Sequence, residues 1–146
     1  MDVILIRHAT AVDETLELRD SMRMLSPPGR AQATQLGVGL HARGVVPTHV
    51  WTSPLVRAVQ TAELVLAALG VTIGTEVAPA LAPEATPRPL LAALRALPAT
   101  AVVLVVGHEP GLSALGALLT GAADYPTIAK AEAACIRAGA PAWRLS

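Results

Sequence analysis

The sequence predicts an α/β fold, a three-layer sandwich whose mainly parallel central sheet carries helices on both faces. Three observations point there. Short strand-like runs at 3–6, 48–52 and 101–106 alternate with longer segments of helical character. The run Ala101 to Val106 is apolar at every position, as a strand buried on both faces must be. Finally, a strand–helix–strand order needs crossovers, and right-handed crossovers pack helices against a parallel sheet.

Each element has a local justification. Val3 to Ile6 is a short buried strand. After a polar stretch, Ser26-Pro27-Pro28-Gly29 opens a helix running to about Arg43, with Gly44 as its stop. Thr48 to Thr52 forms the second strand. Ser53-Pro54 then supplies an N-cap and a first-turn proline for a helix ending near Leu69-Gly70. Thr75 to Ala78 is an edge strand, and four prolines between 79 and 89 stiffen the link to a short helix over Leu90 to Leu97. Ala101 to Val106 leads through Gly107-His108-Glu109-Pro110-Gly111 into a helix that ends about Leu119. Ala131 to Ala138 and Ala142 to Leu145 are two last strands around Gly139. Neither repeats nor a linker divide the chain, so one domain over 1–146 is expected.

Composition narrows the functional classes. With 53% hydrophobic residues the chain can build a core, and no apolar run nears the roughly 20 residues a bilayer requires. Zero formal net charge argues against a grip on nucleic acid or an acidic membrane. A single cysteine, Cys135, leaves no disulfide framework and no cysteine metal cluster. A cytoplasmic protein is expected. Ten of the eleven basic residues are arginine and only Lys130 is lysine, so arginine number says little and position must carry the chemistry.

Three strand ends deliver polar groups to what should be one edge of the sheet: Arg7-His8, Ser53 to Arg57, and Gly107-His108. Ligands of open α/β sheets bind at the carboxyl ends of strands. Arg57 falls in the first turn of its helix, where the macrodipole disfavours a cation by a few tenths to about 1 kcal/mol. An anion sharing the site removes the conflict, and the backbone N–H groups of the helix start would bind it too. Arg57 could alternatively pair with Glu63 or Asp13. His41 and His49 are assigned no role. The chain has no His-x-His, no H-E-x-x-H, no Walker loop, no G-x-G-x-x-G and no G-x-S-x-G, so neither a metal nor a cofactor is expected.

Arg7-His8-Ala9, the segment Ser53-Pro54-Leu55 with Arg57-Ala58-Val59-Gln60-Thr61, and Gly107-His108 after an apolar strand together resemble the histidine phosphatase superfamily. Arg23-Met24-Leu25-Ser26-Pro27-Pro28-Gly29-Arg30-Ala31-Gln32-Ala33 is loosely similar to a segment of its small SixA-type phosphohistidine phosphatases. The resemblance implies a phosphoglycerate-mutase-like fold and a covalent phosphohistidine on His8. It also implies that Arg7, Arg57 and His108 hold the phosphoryl oxygens, with Arg23 a further phosphate-binding candidate.

The proton donor to the leaving group departs from the family pattern. Leu81-Ala82-Pro83-Glu84 places Glu84 one residue late, and Asp13 and Glu109 are the other candidates. An alcohol leaving group benefits from a general acid, commonly by about 100- to 10,000-fold. A protonated phosphoimidazole leaves as neutral imidazole and depends on it less. Short loops also imply an open site. The substrate expected is therefore phosphohistidine on a protein, with a small phosphomonoester as the alternative and a non-catalytic phosphate-binding module as the third reading. Oligomeric state is left open.

Overall fold

A computed structural model describes residues 1–146. Its strands are β1 (Asp2–Arg7), β2 (His49–Thr52), β3 (Thr75–Val77), β4 (Val102–Gly107), β5 (Ala133–Arg137) and β6 (Ala140–Leu145). Its helices are α1 (Pro27–Ala42), α2 (Val56–Leu69), α3 (Arg88–Arg95) and α4 (Gly111–Thr120). All six strands join one sheet in the order β3-β2-β4-β1-β5-β6. The first four are mutually parallel, and β5 and β6 add antiparallel to one side. The predicted three-layer α/β architecture is thus the observed one, with a sheet that is parallel through its centre.

Alternation along the central strands builds two cores. Val3 and Leu5 of β1 and Val103 and Val105 of β4 face the layer that holds Leu90 and Leu94 of α3 and Leu112 and Leu115 of α4. Ile4, Ile6, Leu104 and Val106 face the other way, against Leu36 and Leu40 of α1 and Val65 and Leu69 of α2. Neither strand has a solvated face, which is why both read as unbroken apolar runs. No helix is long and apolar enough to cross a membrane.

Most element boundaries fall within two residues of those expected, and the differences are local chemistry. Ser26 caps α1 as expected, its Oγ accepting from the Gly29 N–H at 3.1 Å, and Pro27 and Pro28 occupy the first turn. Ser53 does not cap α2. That helix begins at Val56 with Leu55 in the cap position and no side-chain cap, because the Ser53 Oγ accepts from the Leu55 N–H and faces His108 instead. The last helix before β4 spans Arg88–Arg95 rather than Leu90 to Leu97, since Pro89 fits the first turn, where no N–H is needed. β5 and β6 form a hairpin turned by Ala138 and Gly139, both at positive φ, as the tight two-residue turn requires.

Two helical glycines permit close approach of another backbone segment. A Cβ on Gly37 would press on Ala68 and the Val65 carbonyl of α2, so α1 and α2 pack backbone to backbone there. A Cβ on Gly29 would overlap the carbonyl oxygen of Thr10, in the loop that leaves β1 two residues after His8. Gly29→Ala should therefore destabilise the fold by about 1–3 kcal/mol through overpacking. Urea unfolding reads this as a lower midpoint with unchanged slope; an unaltered midpoint would show that the Thr10 loop yields freely.

Candidate active site

The register of the sheet assembles the site. Arg7 of β1 pairs with Gly107 of β4, so the next residue on each strand, His8 and His108, emerge side by side. Thr52 of β2 pairs with Val106 of β4, and the Ser53 N–H donates to the Val106 carbonyl at 2.9 Å. The three strand ends meet at one edge. The His8 and His108 ring centroids are 5.0 Å apart with planes inclined by 53°. Both rings are buried.

Hydrogen bonds fix what each ring presents. His8 Nδ1 lies 2.7 Å from the Ala9 carbonyl oxygen, which can only accept, so Nδ1 carries the proton and Nε2 keeps its lone pair. Arg57 Nε donates towards that Nε2 at 3.4 Å. The backbone after His8 is anchored to α2, because the Ala9 N–H donates to Thr61 Oγ1 at 3.1 Å. Thr61 in turn donates to the Arg57 carbonyl. On the opposite wall His108 Nε2 is 2.7 Å from Ser53 Oγ. The buried Nδ1 of His108 and Nε of Arg7 have no hydrogen-bond partner.

Arginines complete the walls. Arg57 is buried in the first turn of α2, and its Nη1 donates to the Asp20 carbonyl at 2.9 Å while Nη2 meets the Asp20 carboxylate at 3.4 Å. Neither Glu63 nor Asp13 pairs with it. Asp20 also accepts from Arg23 Nε at 2.9 Å, and Arg23 Nη1 donates to the Val12 carbonyl. Arg7 Nη1 donates to the Ile128 carbonyl. A polar cavity of about 250 Å³ lies between them, bordered by Arg7, His8, Arg23, Arg57, His108, Glu109 and Lys130.

The structure thus brings together Arg7, His8, Arg23, Arg57 and His108, and separates the carboxylates proposed as proton donors. Glu84 and Asp13 are exposed and do not border the cavity. Glu109 does border it, but its oxygens accept from the Ser113 and Ile128 N–H groups, both at 2.8 Å. Sequence reasoning missed Asp20 and Lys130. Asp20 lies three residues before Arg23 in a segment without periodicity, so nothing local marks it. Lys130 carried a signal, as the one lysine of a chain that otherwise uses arginine. No three His, Cys, Asp or Glu side chains cluster closely enough to hold a metal ion.

Residues 3–82 match the histidine phosphatase superfamily (branch 1), and the chain belongs to that family. Among solved structures, a protein histidine phosphatase SixA complexed with tungstate is similar at 29% identity and a TM-score of 0.91, over 100% of this chain and 97% of that one. A SixA-type protein of Nakamurella multipartitia is 28% identical with a TM-score of 0.73, covering 99% of this chain and 95% of that one. A mycobacterial glucosyl-3-phosphoglycerate phosphatase shares the fold at 18% identity and a TM-score of 0.68, over 92% of this chain and 88% of that one. No curated protein sequence matches the chain.

The electrostatics of the two rings follow from their setting. Burial pushes the His8 pKa down to about 4; the Ala9 carbonyl opposes this, and Arg57, Arg7 and Lys130 reinforce it. Burial likewise takes His108 down to about 3, helped by His8 and Arg57 and opposed by Asp20. Both rings are therefore neutral in the folded protein near pH 7. An unfolded chain protonates them near 6.5. Acidification from about pH 6.5 towards 4 adds protons to the unfolded state alone, so stability is full above that window and falls through it. In phosphate-free buffer, NMR titration should find both rings unprotonated at pH 5.5. His108→Asn should flatten the loss of stability between pH 6.5 and 4; an unchanged slope would mean that His108 titrates normally in the fold.

Proposed function

We propose that this chain hydrolyses phosphohistidine on a protein substrate through a covalent phosphohistidine at His8. The observation that carries the reading is the His8 ring itself, neutral, with its Nδ1 proton tied to Ala9 and its Nε2 lone pair in a cavity walled by guanidinium groups. A phosphoryl group entering the cavity meets a nucleophile and its counter-charges together. Arg7, Arg57 and His108 hold the non-bridging oxygens, and the planar guanidinium forks reach two oxygens at once. The unpartnered Arg7 Nε and His108 Nδ1 belong to side chains that would gain an acceptor there. Arg23 and Lys130 extend the positive wall at the rim. The tungstate held by the similar SixA structure, a phosphate-sized oxyanion, supports the assignment.

The chemistry runs in two displacements. His8 Nε2 attacks phosphorus, and the P–N bond to the substrate breaks with its electron pair leaving on imidazole. That imidazole departs neutral because its other ring nitrogen already carries a proton. The phosphorylated His8 is stabilised by its Nδ1–H donating to Ala9. Water then attacks phosphorus, the second P–N bond breaks, and His8 regains its lone pair while the water's proton leaves with phosphate or solvent. The oxygens are met throughout by side-chain nitrogens, so the proposed reaction needs no metal.

The carboxylates support the choice of leaving group. Glu84 and Asp13 lie outside the cavity, Glu109 is occupied by two backbone donors, and the Arg23 bond, with Arg57 adding, holds Asp20 below the usual carboxylate range despite partial desolvation. No carboxylate is thus left free over the cavity to serve an alcohol leaving group. A phosphoimidazole does not need one.

Labelling quenched in alkaline detergent should trap an alkali-stable, acid-labile phosphate on wild type and none on His8→Ala. Turnover of a histidine-phosphorylated protein should exceed that of sugar and nucleotide monophosphates, with EDTA without effect. Preference for the monoesters would instead make the chain a small-molecule phosphatase. Arg57→Lys keeps the charge but loses the fork and the Asp20 contacts, so kcat should fall by about 100-fold. A near-normal rate would place Arg57 outside the reacting site.

A further inference from the structure

The chain between Val12 and Leu25 forms an ordered loop that projects beside the cavity. Its base is closed by an Ala11–Leu25 bridge, by the Val12 N–H donating to the Met24 carbonyl at 2.9 Å, and by Arg23 donating to the Val12 carbonyl. Its tip is a turn in which the Thr15 and Leu18 backbones bond each other. Asp20 bolts the loop to Arg57 on α2. Despite this order it holds out large apolar side chains: Leu16 is fully exposed, Met22 56% and Met24 42%. The chain has six large exposed hydrophobic residues, and three of them fall within these nine positions. Met22 and Met24 flank Arg23, which borders the cavity. Exposed apolar side chains concentrated in one short segment beside a polar cavity mark an interaction site, and methionine adapts to the partner's shape.

We propose that this loop is the docking surface for the protein that carries the phosphohistidine, an inference that rests on the substrate reading above. Met22 and Met24 contact apolar side chains flanking the phosphorylated histidine, and Leu16 reaches further along the partner. Charge sets the rest of the partner's chemistry. Asp13, Glu14 and Glu17 are exposed at the tip and form none of the chain's ion pairs, with Arg19 the one cation among them. The partner therefore presents an apolar patch beside its phosphohistidine, with basic residues further out.

The test compares a folded protein, phosphorylated on a surface histidine by phosphoramidate, with free phosphohistidine as substrates. The variant Leu16→Asn, Met22→Gln, Met24→Gln removes the patch and none of the groups around the cavity. For the phosphoprotein, kcat/KM should fall about tenfold or more, mainly through KM, as loss of uniform binding does. Turnover of free phosphohistidine should stay within about twofold of wild type, which also reports that the variant is folded. Equal losses on both substrates would show that the loop only supports the cavity, and no loss on either would show that it contacts nothing; both overturn the proposal. Wild type that turns over free phosphohistidine or monoesters but no phosphoprotein overturns the substrate reading itself, and the docking surface with it.

Discussion

The in-register pairing of β1 with β4 is the constraint on which the rest of the molecule depends. It fixes Arg7 against Gly107 and so delivers His8 and His108 to one point. Both strands are buried on both faces, so apolar patterning alone does not oppose a slip of one residue as it would in a half-exposed strand. The polar ends do. A slip in one direction would draw His8 into the sheet, away from Arg57, and in the other would draw in His108, away from Ser53. The residues that make the site thus also act as stops that set the register of the core.

Concentrating positive charge at that point conflicts with burial and with the α2 macrodipole. Arg57 occupies the first turn of α2 and is buried, and both effects work against its charge. Asp20 offsets them with a backbone carbonyl and a carboxylate, while also restraining Arg23. Glu109, the carboxylate that borders the cavity, is held by two backbone N–H groups. Cations therefore dominate the cavity, and burial, with those cations adding, holds both histidines below their usual pKa. Desolvation and cationic neighbours act in the same direction on His8, so the setting that attracts an anion is also the one that keeps the proposed nucleophile unprotonated.

Much of this was legible in the sequence because it is written in short-range terms. Buried parallel strands appear as apolar runs, and the second residue after each run is at the mouth of the sheet, which located His8 and His108. The Ser26-Pro27 cap was readable for the same reason. Ser53-Pro54 shows the limit. It has the composition of a cap, yet its hydroxyl is engaged by Leu55 and by a histidine 55 positions away, and no local pattern encodes that competition. Asp20 was invisible for a related reason, since its partner is 37 residues distant and its loop has neither strand nor helix periodicity. Gln60 and Thr61 lie between these cases. They were noticed as part of a motif, but their tasks, accepting from the Leu25 and Ala9 N–H groups, emerge only when α2 is laid against the loops.

The loop from Val12 to Leu25 joins site and surface physically. Through Asp20 and Arg23 it sets the orientation of the arginine wall, and through Met22 and Met24 it sets what can approach that wall. In the proposed reaction the substrate protein provides the cover over the cavity. Its apolar patch, seated on the methionines, excludes water from one side of the cavity and strengthens the contacts between guanidinium groups and phosphoryl oxygens within it. Departure of the dephosphorylated partner then reopens the cavity to the water that must release phosphate from His8. Transfer and hydrolysis are separated in time by the presence and absence of the partner, and a fixed lid would have to move to achieve the same order.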